Sequence, residues 1–301
     1  MADDGYFPRG TSMLRRVHEQ RAVGLFFGQR ALCLGALKPL NYVGTAEHTK
    51  EKLTPFRRLV RTANFFETVF FGTRQEADVV LNAVQKMHGR VHGVLPEDAG
   101  PFPAGSPYSA FDPQLMLWTV AVIADSAEYF YELFVAKLTD DEREALWQDY
   151  IRFGELFGMP RDEVPASYPE FRAWFDATIN GDEVFLTDEA RYVGAFSAFE
   201  IPMPTHLQLS KRVHDLIMLG SIPPVVREHY GMTWSPGRER LFRAVLAASR
   251  AARPLTPGGL RRGYNTRFFA TVEATERRRI ARGKPTPQLR EAPVAARTAA
   301  G

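Results

Sequence analysis

Two histidines four positions apart are the first candidates for chemistry in this sequence. His88 and His92 belong to a run of apolar residues that recur at helical spacing, and the run ends at Gly93. Residues four apart share one face of an α-helix, so a continuous helix would turn both imidazoles the same way. His88 is in line with the apolar residues Leu81 and Val84, whereas His92 is nearer the end of the predicted helix.

The histidine pair allows three interpretations. Both can be ordinary histidines whose nitrogens are satisfied by hydrogen bonds. Both can bind one small metal ion, although no Asp, Glu or Cys motif supplies a third ligand. One of them can instead be an axial ligand of a haem iron. Two histidines one turn apart cannot reach opposite faces of a porphyrin, so at most one binds iron, and the buried stripe favours His88.

A second candidate is the helical segment that contains Arg58 and Thr62, which are also four residues apart. The predicted helix begins at Thr54-Pro55, a cap residue followed by a proline at the first helical position. An arginine that faces the same way as Phe65 needs an anionic partner if it is buried. Haem propionates or bound oxygen would serve as that partner. The alternative is a solvated arginine at the start of the helix.

The bulk composition excludes several other classes of protein. The chain has 301 residues, 45% of them hydrophobic, which is enough for a sizeable core. No apolar run approaches the roughly 20 residues of a membrane helix, and the N-terminus lacks a signal-peptide pattern. A single cysteine, Cys33, allows no internal disulfide, and together these features predict a cytoplasmic protein. Phosphate-binding loops and the H-E-x-x-H and G-x-S-x-G motifs are absent.

The net charge of +3 is distributed unevenly along the chain. Residues 277–301 contain seven basic residues and one acidic residue, so they carry +6 and leave −3 for the rest. A body with that charge gives no electrostatic reason to expect nucleic-acid binding. We expect residues 1–282 to form one helical domain and residues 283–301, which are basic and rich in Pro and Ala, to be a disordered tail.

Helical periodicity dominates the chain, and no alternating strand extends beyond a few residues. A capping box, Thr73 with Glu76, marks one helix start, and Thr139 with Glu142 marks another. The Pro- and Gly-rich segment 95–113 is predicted to be a loop over the surface or a pocket. The pattern therefore predicts an all-α fold, with helices over 12–37, 54–70, 73–93, 113–138, 139–158, 168–179, 188–195, 205–219, 225–230, 236–253 and 264–281.

A series of short motifs lies in a defined order over about residues 25–265. No single motif is diagnostic, and the ordered set carries the specificity. The motifs are Gly28-Gln29-Arg30-Ala31-Leu32-Cys33-Leu34, Pro39, Arg58-Leu59-x-x-Thr62, Phe71-Gly72-Thr73, Ala77, His88-Gly89-x-Val91-x-Gly93, Tyr108-Ser109-Ala110, Asp112-Pro113, Leu117-Trp118, Leu219-x-x-Ile222-Pro223, Arg227, Gly231, Trp234, Pro257 and Leu260-Arg261. This order resembles the MpaB oxygenase family, the DUF2236 proteins, whose best-known branch is the latex-clearing rubber oxygenases.

The resemblance implies a single globular multi-helix domain of the latex-clearing/MpaB oxygenase type that holds one haem b. His88 matches the position of the proximal iron ligand, and Arg58 and Thr62 match conserved positions close to the haem. Arg61 and His92 are further candidate cofactor contacts. The implied function is a haem-dependent oxygenase that uses O2 on an apolar small molecule, with an electron donor as a further candidate partner.

Three positions depart from the family pattern. Rubber oxygenases have a lysine that can cap the iron where this chain has Arg61, and a guanidinium has no lone pair to give. The distal site is therefore expected to be open or water-filled. Many relatives have a histidine where this chain has Val120, which puts the local pocket packing in doubt. The acidic distal base of the family has no secure match, and Glu47 is the candidate.

Two other functions remain alternatives at this stage. One is a haem protein that uses peroxide or catalyses desaturation in natural-product tailoring. The other is a non-enzymatic helical protein that binds an apolar ligand. If His88 is not the ligand, His214 is the next histidine to examine, because it lies in an apolar helical stretch.

Overall fold

The computed structural model describes residues 4–48 and 54–284, with the backbone alone for 44–48. The predicted tail therefore lies almost wholly outside the described residues, and the division of the chain at residue 282 stays a prediction. Within the described ranges the fold is all-α in one domain, as predicted. Its α-helices are α1 (Met13–His18), α2 (Arg21–Gly35), α3 (Pro39–His48), α4 (Pro55–Phe71), α5 (Arg74–His88), α6 (Pro113–Phe134), α7 (Asp140–Leu156), α8 (Tyr168–Ile179), α9 (Asp188–Phe199), α10 (Gln208–Ser221), α11 (Pro224–Tyr230), α12 (Pro236–Ala252), α13 (Gly258–Arg261) and α14 (Thr266–Ala281).

The predicted helix starts are confirmed at the atomic level. Thr73 Oγ1 accepts a hydrogen bond from the Glu76 amide at 3.2 Å, and the Glu76 carboxylate accepts one from the Thr73 amide at 2.8 Å. The same reciprocal pair joins Thr139 and Glu142 at the start of α7. The Asp112 carboxylate accepts from two backbone amides of α6. Each cap satisfies amides that have no partner within the helix.

The first predicted helix is wrong in one respect, because it is two helices. The interruption lies at Glu19 and Gln20, between α1 and α2. Gln20 has an extended backbone and forms an antiparallel bridge with Arg262, while the Gly263 amide donates to the Glu19 carbonyl at 2.9 Å. The break is thus set by a contact with a segment far away in the sequence.

A small antiparallel sheet occupies part of the segment predicted as a loop. β1 (His92–Val94) pairs with β2 (Pro107–Ser109), and Gly93 lies opposite Tyr108. A Cβ atom at Gly93 would lie 2.8 Å from the Tyr108 hydroxyl, so a larger residue does not fit without movement. The sheet also packs against α3 through β2.

Helix α6 lies at the centre of the core and is buried over most of its length. It packs on α2, α7 and α12, and Trp118 and Phe130 are completely buried on it. A helix that is apolar on nearly all sides is stable only when other helices surround it. Although α6 has 22 residues, no helix in the described ranges is long and apolar enough to cross a membrane.

The one carboxylate buried within α6 is neutralised by arginines from two neighbouring helices. Arg30 Nη1 on α2 and Arg172 Nη1 on α8 each lie 2.5 Å from an oxygen of Asp125. Burial alone would raise the pKa of Asp125, but the two guanidinium groups hold it below its usual value. The Arg30 guanidinium also lies over the Tyr129 ring, 4.7 Å from its centroid, and its Nε donates to the Ser221 carbonyl.

Asp125→Ala is expected to lower the free energy of unfolding by about 3–5 kcal/mol, because it leaves the buried Arg30 charge without its carboxylate. Chemical denaturation of the purified variants measures the effect. Asp176→Ala is the matched control: Asp176 accepts from Arg172 at 2.7 Å but is largely exposed, so a change of less than about 1 kcal/mol is expected. Equal losses in the two variants would contradict the role assigned to the buried group.

Candidate functional site

His88 is the last residue of α5, and Gly89 caps the helix. After it the chain makes two tight turns, in which the Arg90 amide donates to the Met87 carbonyl and the Val91 amide donates to the His88 carbonyl. The chain then enters β1. The imidazole of His88 therefore lies at a junction between a helix and the small sheet.

His92 does not share a helical face with His88, and that prediction is wrong. The helix ends five residues earlier than the apolar pattern indicated, because Gly89 and the following turns redirect the chain into β1. His92 is the first residue of β1, is exposed, and pairs with Ser109 across the sheet. The structure thus separates the two histidines that the sequence had grouped.

The His88 ring is half-buried and has no hydrogen-bond partner among the described residues. Its Nδ1 atom is inaccessible to solvent and unpaired, and no bond to Nε2 is formed either. The nearest ring is that of Phe111, edge-on with its centroid 6.2 Å away. Burial lowers the pKa of His88, so the neutral imidazole is favoured. A buried unpaired polar atom costs about 1–3 kcal/mol, and such atoms are uncommon in folded proteins.

Two other histidines on apolar helical faces have ordinary structural roles. His18 Nε2 lies 2.7 Å from the Tyr150 hydroxyl, deep in an aromatic cluster, and burial lowers the pKa of His18 to about 3. His214 Nε2 lies 2.8 Å from Gln29 Oε1, and its Nδ1 lies 3.2 Å from an oxygen of Asp215. His214 is thus engaged at both nitrogens, which separates it from His88.

Helix α4 carries the second set of candidate residues and packs against α5. The two helices are joined only by Gly72 and Thr73. Arg58 lies about fourteen residues before this connection and His88 about fifteen after it, so each is roughly 20 Å along its helix at 1.5 Å per residue. Arg58 and His88 are therefore at a similar distance from the turn on two packed helices.

Arg58 is half-buried and close to Tyr42 on α3. Burial raises the pKa of Tyr42, and the positive charge of Arg58 opposes that rise. Because α3 also packs on β2, the helix that faces Arg58 is in contact with the sheet that follows His88. Sequence reasoning missed both Tyr42 and Phe111. No motif marked Tyr42, whereas Phe111 lies directly between two of the quoted motifs.

The remaining candidates are placed less centrally. Thr62 and Arg61 are both exposed on α4, and the Thr62 hydroxyl donates to the Arg58 carbonyl at 3.1 Å. Glu47 lies on α3, but its side chain is outside the described residues. Val120 is buried on α6, where a Cβ at Gly154 would lie 3.3 Å from its Cγ2 atom. Val120 therefore fills core space against α7.

The described residues contain no group of three or more His, Cys, Asp or Glu side chains that could hold a metal ion. A cavity of about 500 Å³ lies elsewhere, beside the Arg30–Asp125 ion pair, and neither histidine nor cysteine lines it.

Comparison with known families agrees with the motif order. Residues 15–251 match the family described as "ER-bound oxygenase mpaB/B'/Rubber oxygenase, catalytic domain". The chain belongs to this family. The MpaB/rubber oxygenase match covers α2 to α12, including all of α4 and α5, and it confirms the resemblance predicted from the motifs. The chain therefore carries an oxygenase catalytic domain.

Two relatives are uncharacterized proteins of Mycobacterium bovis and Mycobacterium tuberculosis. Each is 24% identical over 205 residues, which is 67% of this chain and 76% of the relative. No solved structure matches this chain.

We expect the His88 ring to titrate below the ordinary histidine pKa of about 6.5 in protein without added cofactor, because burial disfavours its charged form. As the pH falls below about 6.5, the unfolded chain binds a proton at His88 more readily than the folded chain does. The free energy of unfolding therefore decreases over that range. NMR titration of the ring protons measures this, with the His88→Gln variant identifying the signal. A midpoint at or above 6.5 would contradict the assigned burial.

Proposed function

We propose that this chain is a haem-b-dependent oxygenase of an apolar small molecule and that His88 would hold the haem through its iron. The observation that carries the proposal is the half-buried imidazole of His88, whose neutral form is favoured and which has no hydrogen-bond partner among the described residues, in an oxygenase catalytic domain. A neutral imidazole with an uncommitted lone pair is the form that binds iron.

The described residues contain no group of three or more His, Cys, Asp or Glu side chains that could supply a full set of ligands to a bare metal ion. A porphyrin supplies four nitrogens from outside the protein, so one histidine is enough. A single histidine, His88, is therefore compatible with binding of a haem. The buried Nδ1 atom would need an acceptor once iron is bound, since ligating histidines usually donate from their other nitrogen.

When bound, haem b supplies the redox chemistry of O2 activation, and the protein supplies orientation and electrostatics. In this proposal Arg58 would pair with an anionic group, such as a propionate, since its guanidinium stays protonated. Thr62 presents a hydroxyl on the same helix one turn further on. Arg61 has no lone pair and cannot close the distal position as a lysine can. Phe111, whose ring lies 6.2 Å from that of His88, would offer apolar surface for a substrate.

The substrate in this proposal is an apolar small molecule, O2 is the co-substrate, and an electron donor is a further partner. Glu47 is the proposed acidic group near the distal side. His92 has no direct role in this proposal, because it is exposed on β1.

His88→Ala is expected to weaken binding of hemin by at least about tenfold and to abolish the spectrum of histidine-ligated iron, because the only axial bond from the protein is removed. Added imidazole should restore part of that spectrum by entering the vacated position. Titration of hemin into each purified protein, followed by absorbance near the Soret band, measures both effects.

His92→Ala is the matched control, since it removes an exposed imidazole four residues away, and hemin affinity within about twofold of the wild type is expected. A variant pair in which His92→Ala loses the histidine-ligand spectrum and His88→Ala keeps it would reverse the assignment. Wild-type protein that gains no Soret band would refute the haem proposal altogether.

A further inference from the structure

The last helix, α14, lies beyond the part of the chain that matches the family, which ends at residue 251. It nevertheless packs on α4, the helix that carries Arg58 and Thr62. Val272 of α14 and Phe56 of α4 belong to a small apolar cluster that is separate from the main core and includes Phe196, Ile201 and Met203. An element outside the family match therefore contacts the helix on which the proposed site depends.

The N-terminus of α4 lacks a cap of its own. The Thr54 side chain makes no capping hydrogen bond, and Pro55 at the first helical position has no N–H group. The amides of Phe56 and Arg57 are the next ones that need acceptors, because the first amides of a helix have no partner within it.

Glu276 of α14 supplies both acceptors. The Phe56 amide donates to Glu276 Oε1 at 3.1 Å, and the Arg57 amide donates to Glu276 Oε2 at 3.0 Å. Glu276 is 1% exposed, so its carboxylate is tolerable only with such partners. A negative charge at the N-terminus of a helix is also favoured by the helix dipole.

The capped turn leads directly into the proposed site. The Arg58 amide makes the first bond within the helix, to the Thr54 carbonyl at 3.2 Å, so Arg58 belongs to the same turn as the two capped amides. Fixing the backbone of this turn fixes the point from which the Arg58 side chain extends. Thr62 follows one turn later on the same helix, so its position also depends on the direction of the α4 axis.

We propose that Glu276 is a positioning residue that anchors the first turn of α4 and thereby sets the place of Arg58 and Thr62. The carboxylate acts through the backbone and touches neither substrate nor cofactor. The inference rests on the proposed function for the role of Arg58, but the anchoring itself stands on the two hydrogen bonds.

Amide hydrogen exchange tests the anchoring without any cofactor. In Glu276→Ala, protection of the first turn of α4 should fall by about fivefold or more, since an N-cap is lost. Glu276→Gln keeps the side-chain volume and one acceptor oxygen, so a smaller loss is expected, and it keeps the test valid if the alanine variant does not fold. The amides of α7 provide an internal reference that should not change.

Glu273→Ala is the matched control on the same helix. Glu273 pairs with the Arg57 side chain at 3.8 Å and does not touch the capped amides. Its removal should leave exchange in α4 within about twofold of the wild type, as expected for a weak exposed ion pair. Unchanged exchange in Glu276→Ala, or an equal change in Glu273→Ala, would overturn the anchoring.

The dissociation rate of hemin tests the positioning role. Glu276→Ala should raise this rate, and the effect should largely disappear in an Arg58→Ala background, because both changes act through the same contact. Loosened exchange with an unaltered or fully additive dissociation rate would overturn the positioning role and leave the haem proposal intact. If the wild type binds no hemin, the positioning role falls with the proposed function, and the exchange result still decides the anchoring by itself.

Discussion

The fold depends on the burial of α6, a helix that is surrounded on nearly every side and must have all its polar groups satisfied within the protein. Asp125 is the most costly of these groups to bury, because it is a carboxylate. Arg30 of α2 and Arg172 of α8 neutralise it, each with a guanidinium nitrogen 2.5 Å from a carboxylate oxygen. The same contact that neutralises the carboxylate therefore ties α2, α6 and α8 together.

The candidate site differs from the core in the way its polar groups are satisfied. Elsewhere in the fold, the buried His18 and the half-buried His214 are hydrogen-bonded. At the end of α5, the His88 imidazole has a buried nitrogen without a partner. An unpaired buried atom lowers stability, and this atom is the observation on which the proposed role of His88 as a ligand rests.

Most of the fold could be predicted from the sequence because its signals are local. Capping boxes at Thr73 and Thr139 and the Asp112-Pro113 start placed their helices correctly. The errors arose where distant segments decide the outcome: the break at Gln20 depends on a bridge to Arg262, and β1 depends on pairing with β2. For the site, helical spacing picked out His88 and Arg58 but misplaced His92. It gave no sign of Tyr42, nor of Glu276, whose capping partners lie about 220 residues earlier.

The haem content of the purified protein tests the central claim most directly. Protein made in haem-replete cells should contain about one haem b per chain, measured as the pyridine haemochrome against protein concentration. The haem should be extracted by acidified organic solvent, because the single cysteine, Cys33, is not part of a Cys-x-x-Cys-His attachment motif. A colourless protein that also acquires no Soret band when hemin is added would contradict the account.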